Sequence, residues 1–426
     1  NNAINVINNL IDINPENSNV YKQYLILKYP NKNNGNEYDS KEENEIIEYF
    51  EDLKKKYPKC QAIDRILLDI SNGDTFKKYA DIYLVKKITK SVPSLYNDLR
   101  NLYNNPSKCN ILNELLKEYT KELETHKRFH KNDDEYSASI SCYLWTNYYN
   151  AQRLLDINKF TDALNIVNDT INKIPTCIDL YALKAKIYKY SGNPIEAFKH
   201  LDYAREMDTA DRFLNTKCVR YALRAHKAID AEKIVRLFLK KNEGAKNLET
   251  LQVMWYELHK SECHYDLNEY GVCLKNVQFV MDHYNTFWDN QKDFHAYSYR
   301  KVSINSFMEL LRWEWQVRYH PFFIRAAKLG IKLWCWMSEM NDINEFKYGS
   351  TPYNKDDEKN HTSLDPRGYN LIFNFDDKPT PSNTENNDSN DDLKIDKEYC
   401  LSKANEFMKE INNIEYLLNN NEYIYF

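Results

Sequence analysis

Three cations stand at helical spacing in the middle of this 426-residue chain. Lys217, Arg220 and Arg224 occupy positions i, i+3 and i+7, so a helix lines them along one face, with Tyr221 beside them and Arg212 and Lys227 flanking the row. Lys184, Lys186 and Lys189 form a second cluster upstream, and stacked helical hairpins would bring some of these near the same groove. Cations converging in that way suit a highly charged anion, whose phosphates accept charge-assisted hydrogen bonds from Arg and Lys. The competing reading is an ordinary solvated helix face answered by Asp202, Asp208 and Asp211.

Other chemistry is poorly supplied. His259 and His264 flank Glu262 and Cys263, but they are five residues apart, off the i, i+4 spacing that aims two imidazoles at one metal, so no metal site is expected. A phosphate or acetyl-CoA loop needs several glycines close together, and the eight glycines are scattered at 35, 73, 192, 244, 271, 330, 349 and 368. No convergent acid and base is recognisable either, so no catalytic residue is assigned. The nine cysteines include no CxxC pair and form no dense framework; free, mostly buried thiols in a reduced cytosolic setting are expected. Lys plus Arg (58) nearly balance Asp plus Glu (63), which argues against a globally basic nucleic-acid binder and makes any polyanion site local. No stretch approaches the ~20 apolar residues that would cross a bilayer.

The elements that must position the basic row are repeats. Ala163, Ala197 and Ala231 recur at 34-residue spacing, the tetratricopeptide period, and Ala151, Ala185 and Val219 keep the same register. Leu154, Tyr188 and Ala222, and Val167, Leu201 and Val235, follow suit, with Asn158 and Gly192 at the turn between helices and Pro175 closing the first unit. Small residues are needed where the two helices of a hairpin approach closely. A further unit at 268–274 puts Cys273 in the small-residue position eight residues late, the extra length falling in a loop around 243–247.

Upstream, Ala3, Ile7, Leu10 and Pro15 match the second half of such a repeat, so the chain is expected to begin inside a hairpin. Helical spacing also marks 44–57, 75–89, 92–103 and 111–130. From 293 to 340 aromatics (Trp313, Trp315, Phe322, Phe323, Trp334, Trp336) sit among Arg and Lys, with Pro321 starting a helix, and the bland reading is a buried helix pair. The segments 347–361 and 377–392 are polar and lack the means to form a core. A tail helix places Leu401, Ala404, Phe407, Ile411 and Ile414 on or near one face. The predicted organisation is therefore degenerate helical repeats over 1–140, tetratricopeptide repeats over 141–290, aromatic-rich helices over 291–340, polar linkers over 341–392 and a C-terminal helix over 393–426. The fold class is all-α, with helical hairpins stacked into a right-handed superhelix, an alpha-alpha solenoid.

At this point the residues carry a family likeness. Leu183-Lys184-Ala185-Lys186-Ile187-Tyr188-Lys189-Tyr190-Ser191-Gly192-Asn193, followed by Met207-Asp208-Thr209-Ala210-Asp211-Arg212-Phe213-Leu214-Asn215-Thr216-Lys217-Cys218, resembles the core of the auxiliary subunit of the N-terminal acetyltransferase A complex. The likeness continues through Met254-Trp255, Asp293-Phe294-His295 with Arg300-Lys301, Arg318-Tyr319-His320-Pro321-Phe322-Phe323 with Ala326-Ala327, and Asp365-Pro366-Arg367-Gly368. It implies a non-catalytic scaffold that wraps and activates a GNAT-fold catalytic subunit as a heterodimer and docks it on the ribosome, in the cytoplasm. It further implies that inositol hexakisphosphate binds through the basic helix face, with Lys217, Arg220, Tyr221, Arg224, Arg212, Lys184 and Lys189 as its residues. Two features depart from the family pattern: full N-terminal repeats are not seen, and only the short stretch 341–364 stands where the family has a long Lys/Glu-rich run.

Two other classes compete. A repeat adaptor of another complex, such as a chaperone co-factor that clamps a peptide carboxylate, would bind free acidic peptides without an acetyltransferase partner. An enzyme in its own right would need the cofactor loop or acid and base pair that is not found.

Overall fold

The computed structural model describes residues 2–30, 38–130, 138–239, 248, 250–301, 303–317, 320–339 and 397–418. Among the described residues there are helices and turns and no strand. The chain forms two compact units, residues 1–192 and 193–426.

The first unit holds α1 (Asn2–Ile13), α2 (Ser18–Lys28), α3 (Ser40–Lys56), α4 (Gln61–Ile70), α5 (Gly73–Thr89), α6 (Leu95–Leu99, continued by a 3-10 turn Arg100–Asn104), α7 (Pro106–Thr125), α8 (Ile140–Asp156), α9 (Phe160–Lys173) and α10 (Ile178–Tyr190). The second holds α11 (Pro194–Met207), α12 (Arg212–Arg224), α13 (Ala228–Arg236), α14 (Met254–Asp266), α15 (Tyr270–Arg300), α16 (Ile304–Val317), α17 (Pro321–Glu339) and α18 (Lys397–Leu418).

The repeat register is visible in both side chains and backbone. Ala163, Ala197, Ala231 and Cys273 are all buried, as are Ala151, Ala185 and Val219, at positions where helices packed within each unit leave no room for longer side chains. The residue just past each of α8, α10, α12 and α14 is left-handed: Asn158 (φ 59°), Gly192 (φ 84°), His226 (φ 56°) and Asn268 (φ 61°). Their spacing is 34, 34 and then 42 residues, so the last unit arrives eight residues late, as Cys273 predicts. A left-handed residue there reverses the chain while its backbone N–H returns to the helix just ended: Asn158 N donates to Leu155 O at 3.1 Å and His226 N to Leu223 O at 3.1 Å.

The first unit's main core gathers Tyr21, Phe50, Leu67, Phe76, Leu84, Tyr119 and Tyr149 from α2 to α8. Several helix ends in it are tied by side chains distant in sequence. The Glu16 carboxylate accepts from Gln61 N (2.9 Å) and Ala62 N (3.1 Å) at the start of α4. At its other end, buried Lys108 donates from Nζ to Leu68 O (2.9 Å) and Asp69 O (2.8 Å), a cation set on the negative pole of the helix. The helix expected over 111–130 runs instead from Pro106, capped by Asn105, to Thr125. It stops there because Lys127 turns left-handed (φ 55°), and Phe129 is buried against Tyr119.

The second unit's core joins α14, α15, α17 and α18 through Leu258, Val277, Tyr284, Phe323, Trp334 and Phe407. Pro321 does open α17. Of the aromatics around it, Phe323 and Trp334 are buried, whereas Trp313 and Trp336 are exposed, so the buried helix pair is only half right; the side chain of Trp315 lies outside the described residues. On α18 the buried seam is Cys400, Ala404 and Phe407, with Ile411 packed beside it; Leu401, expected on that face, points outward because Cys400 is the position that completes the i, i+4, i+7 row. The side chain of Ile414, the loop over 243–247 and both polar segments also lie outside the described residues. Among the described residues no disulfide joins any of the nine cysteines, and no helix is long and apolar enough to cross a membrane.

Candidate functional site

The basic row rides on α12. Asp211 caps that helix, its Oδ1 accepting from Phe213 N (2.7 Å) and Leu214 N (3.3 Å), which sets where the turns begin and therefore which way Lys217, Arg220 and Arg224 face. The opposite face (Leu214, Cys218, Val219, Ala222) is buried, and α12 packs on α11, α13 and α14.

Arg220 is the most constrained of the three. Its guanidinium carbon lies 4.6 Å from the centre of the Trp255 ring on α14, and its Nε is buried with no hydrogen-bond partner. Burial first, and then the charge of Arg224, hold its pKa below the ordinary guanidinium value; the group stays charged, since that value starts so far above neutrality. A charged N–H that is taken from water and not paired is unfavourable by itself, so the position is one that an anion would improve.

Two further groups join it. Arg224 and Arg325, the latter on α17, both press on buried His259 of α14. Burial is the main reason that the imidazole titrates below its usual range, and the two arginines push the same way, against the Trp255 carbonyl and Glu262, which pull it up. His259 Nδ1 is 2.6 Å from Trp255 O, and Arg325 holds Glu262 through Nε (3.1 Å) and Nη2 (2.5 Å). The second unit thus gathers Arg220, Arg224 and Arg325 around α14, with one carboxylate of partial compensation.

The other expected residues are placed as follows. Lys217 Nζ is 5.5 Å from the Phe213 ring centre, and Arg212 is exposed with its guanidinium 5.5 Å from that of Phe238. Tyr221 is buried (5% exposed), so its ring is part of the packing of α12 rather than of the exposed cationic row. Lys184 and Lys189 lie on α10 in the first unit, Lys189 with its ammonium 3.9 Å from the Tyr190 ring centre. The three aspartates that could answer the row have other engagements: Asp202 with Arg205 (2.7 Å), Asp208 with Ala210 N (3.1 Å) and Asp211 with the α12 cap. Arg325 and the stacking role of Trp255 are new to the site. No local pattern could have found Arg325, which is about a hundred residues along the chain from the row.

The His259 and His264 pair divides its loyalties. His259 turns to the Trp255 carbonyl and His264 to the Glu269 carboxylate, and among the described residues no group of three or more His, Cys, Asp or Glu could hold a metal ion.

Comparison with known proteins gives this fold a lineage. The family model described as N-terminal acetyltransferase A, auxiliary subunit, matches residues 1–366. The chain is 34% identical over 304 residues to the human N-alpha-acetyltransferase 16, NatA auxiliary subunit, covering 71% of this chain and 35% of the relative. It is 33% identical over 296 residues to the N-terminal acetyltransferase A complex auxiliary subunit NAA15 of Arabidopsis thaliana, covering 70% and 33%. It therefore spans about a third of the length of these curated relatives. A chain in a solved structure of Naa15/Naa10 bound to HypK-THB has the same fold, with a TM-score of 0.72 and 24% identity over 97% of this chain and 54% of that one. With its helical hairpins in 34-residue register and a match that runs from its first residue through residue 366, the chain belongs to the family of N-terminal acetyltransferase A auxiliary subunits.

Proposed function

We propose that this chain is a non-catalytic scaffold that binds and activates a GNAT-fold acetyltransferase as a heterodimer and anchors it to the cytoplasmic ribosome for N-terminal acetylation of nascent chains. The observation that carries this reading is the family match across residues 1–366. Supporting it, the solved relative of the same fold is Naa15 in a structure with Naa10. A helical-repeat surface supplies a broad, mostly apolar and aromatic contact rather than a catalytic pocket, which suits a partner-gripping role.

The basic row on α12 is, in this reading, the seat of inositol hexakisphosphate. The donor set fits: Arg220 presents a buried Nε without a partner, with Lys217 before it and Arg224 after it on one helix. Arg212 lies on the same helix, and Arg325 approaches from α17. Arg220 and Arg224 would hold phosphate oxygens through forked N–H pairs, and Lys217 and Arg212 would add charge. Tyr221 keeps α12 seated. The bound polyanion would neutralise cations that otherwise repel one another.

The test is co-expression of this chain with the catalytic acetyltransferase, and assay of the purified complex on Ser- and Met-starting peptides beside each chain alone. A stable complex whose activity moves toward the Ser peptide is expected, with no activity from this chain by itself. Failure to form a complex in the presence of inositol hexakisphosphate overturns the reading in favour of a different repeat adaptor. Lys217→Glu with Arg220→Glu should abolish inositol hexakisphosphate binding in calorimetry and weaken the heterodimer while helicity is retained; unchanged binding of both sinks the anion-site assignment.

A further inference from the structure

The Trp255 ring under Arg220 also meets a group that can carry a proton. Its indole stands edge-on to the imidazole of His259, with ring centres 6.4 Å apart, so one side chain touches both the constrained guanidinium and a titratable ring. His259 is buried (7% exposed), and its Nδ1 lies 2.6 Å from Trp255 O. A carbonyl only accepts, so Nδ1 holds the N–H of the neutral ring and a proton taken up arrives at Nε2. One turn along α14, Glu262 receives Arg325 from α17.

Charge reaches this imidazole from three helices. Burial is the main influence against its protonation; Arg325 of α17 and Arg224 of α12 add to it, while the Trp255 carbonyl and Glu262, both of α14, work the other way. The remaining helices packed on α14 bring charges that are answered elsewhere. On α13, Glu232 pairs with Arg236; from α14 to α15, Glu257 lies 2.9 Å from His283, and His264 is held by Glu269 in the turn between them. A proton on His259 thus meets two cations and one carboxylate that Arg325 already holds. An anion seated on Arg220 and Arg224 reverses that balance, because its oxygens offset the cations and favour the imidazolium.

We propose that the basic seat on α12 binds its polyanion together with a proton, which His259 takes up, so that binding strengthens as the solution becomes more acidic. The inference rests on the anion reading of the α12 row. Its sign follows from linkage. Without ligand His259 titrates below 6.5, and with ligand it titrates higher. Between the two values binding takes up a proton; above both the ring is neutral throughout, and below both it is charged throughout. By reciprocity, whatever factor the ligand adds to the affinity for the proton, the proton adds to the affinity for the ligand. The seat thereby responds to pH as well as to ligand concentration.

The experiment counts protons. The probe is inositol hexasulfate, whose sulfate esters stay fully ionised at every pH used, so that any proton taken up is the protein's. The full chain is titrated calorimetrically in pairs of buffers that differ in ionisation enthalpy. Uptake of roughly half a proton per ligand is expected near the middle of the window, with affinity growing about threefold for each pH unit of acidification there. His259→Gln, its helicity checked by circular dichroism, should lose the uptake. Arg325→Gln, a change at an exposed side chain, should move the uptake to higher pH, since it removes a cation that opposes the imidazolium. With inositol hexakisphosphate, whose phosphates titrate themselves, the difference between the unaltered chain and His259→Gln should have the same sign. Binding without uptake, or uptake that neither substitution changes, overturns the proposal and leaves the anion site standing. Absence of binding to either inositol ester overturns both.

Discussion

The guanidinium of Arg220 lies 4.6 Å over the ring of Trp255, joining the basic face of α12 to α14. The contact explains how a half-buried cation is tolerated next to Arg224: the indole face gives it an attraction that water no longer supplies. It also orients the fork of the guanidinium, which a flexible lysine at the same place would not achieve.

Trp255→Leu removes the π face and keeps apolar bulk. It should destabilise the second unit by about 1 kcal/mol and weaken polyanion binding as Arg220 loses its fixed orientation. Thermal melts with and without inositol hexakisphosphate check both; a variant with unchanged ligand-induced stabilisation shows that the stacking does not position Arg220.

Gly330 is where α17 meets α18, and a Cβ there would run into the Phe407 ring and close on Val277. Gly330→Ala is therefore expected to cost about 1–3 kcal/mol through overpacking. Adding Phe407→Leu should recover part of that loss, because the two changes share one space. Limited proteolysis within α18 reads the docking directly. Faster cleavage in the single variant than in the double variant is the expected order.

His226 holds a left-handed conformation (φ 56°) at a turn where the preceding hairpin has Gly192 (φ 84°). A side chain in that region is strained by up to about 1–2 kcal/mol, offset partly by the chain entropy that glycine loses on folding. His226→Gly should raise the Tm and Gly192→Ala should lower it, although nothing sits within 4 Å of the added Cβ. Opposite signs isolate backbone conformation from packing.

His259 makes the second unit sensitive to acid. Its folded pKa lies below the ordinary 6.5, chiefly through burial, so above pH 6.5 the neutral ring is favourable in both states and full stability is present. As the pH falls below that value the unfolded chain takes up a proton that the folded chain resists, and stability drops until the folded pKa is passed. His259→Gln should flatten that part of the pH profile in melts between pH 7 and roughly pH 5. An unchanged slope would assign the acid sensitivity to other groups.

What the sequence determined by itself is the periodic part of this protein. Ala163, Ala197 and Ala231 mark close approaches that recur every 34 residues, and the register they define places the left-handed turns at 158, 192 and 226 and even the delayed turn at 268. Spacing of that kind is local, since a hairpin is built from neighbours in the chain. The basic row was legible for the same reason: Lys217, Arg220 and Arg224 share a face whatever the helix packs against. Only the tertiary structure decided which of its members are constrained. Trp255 under Arg220, Arg325 near His259, and the burial of Tyr221 all depend on the angle at which α12, α14 and α17 meet. The same holds for Glu16 and Lys108, which close the two ends of α4 from about forty residues away on either side. Nothing in their immediate neighbours marks them, because a helix end can be satisfied equally by water, by a local cap or by any charged group that the fold carries to it.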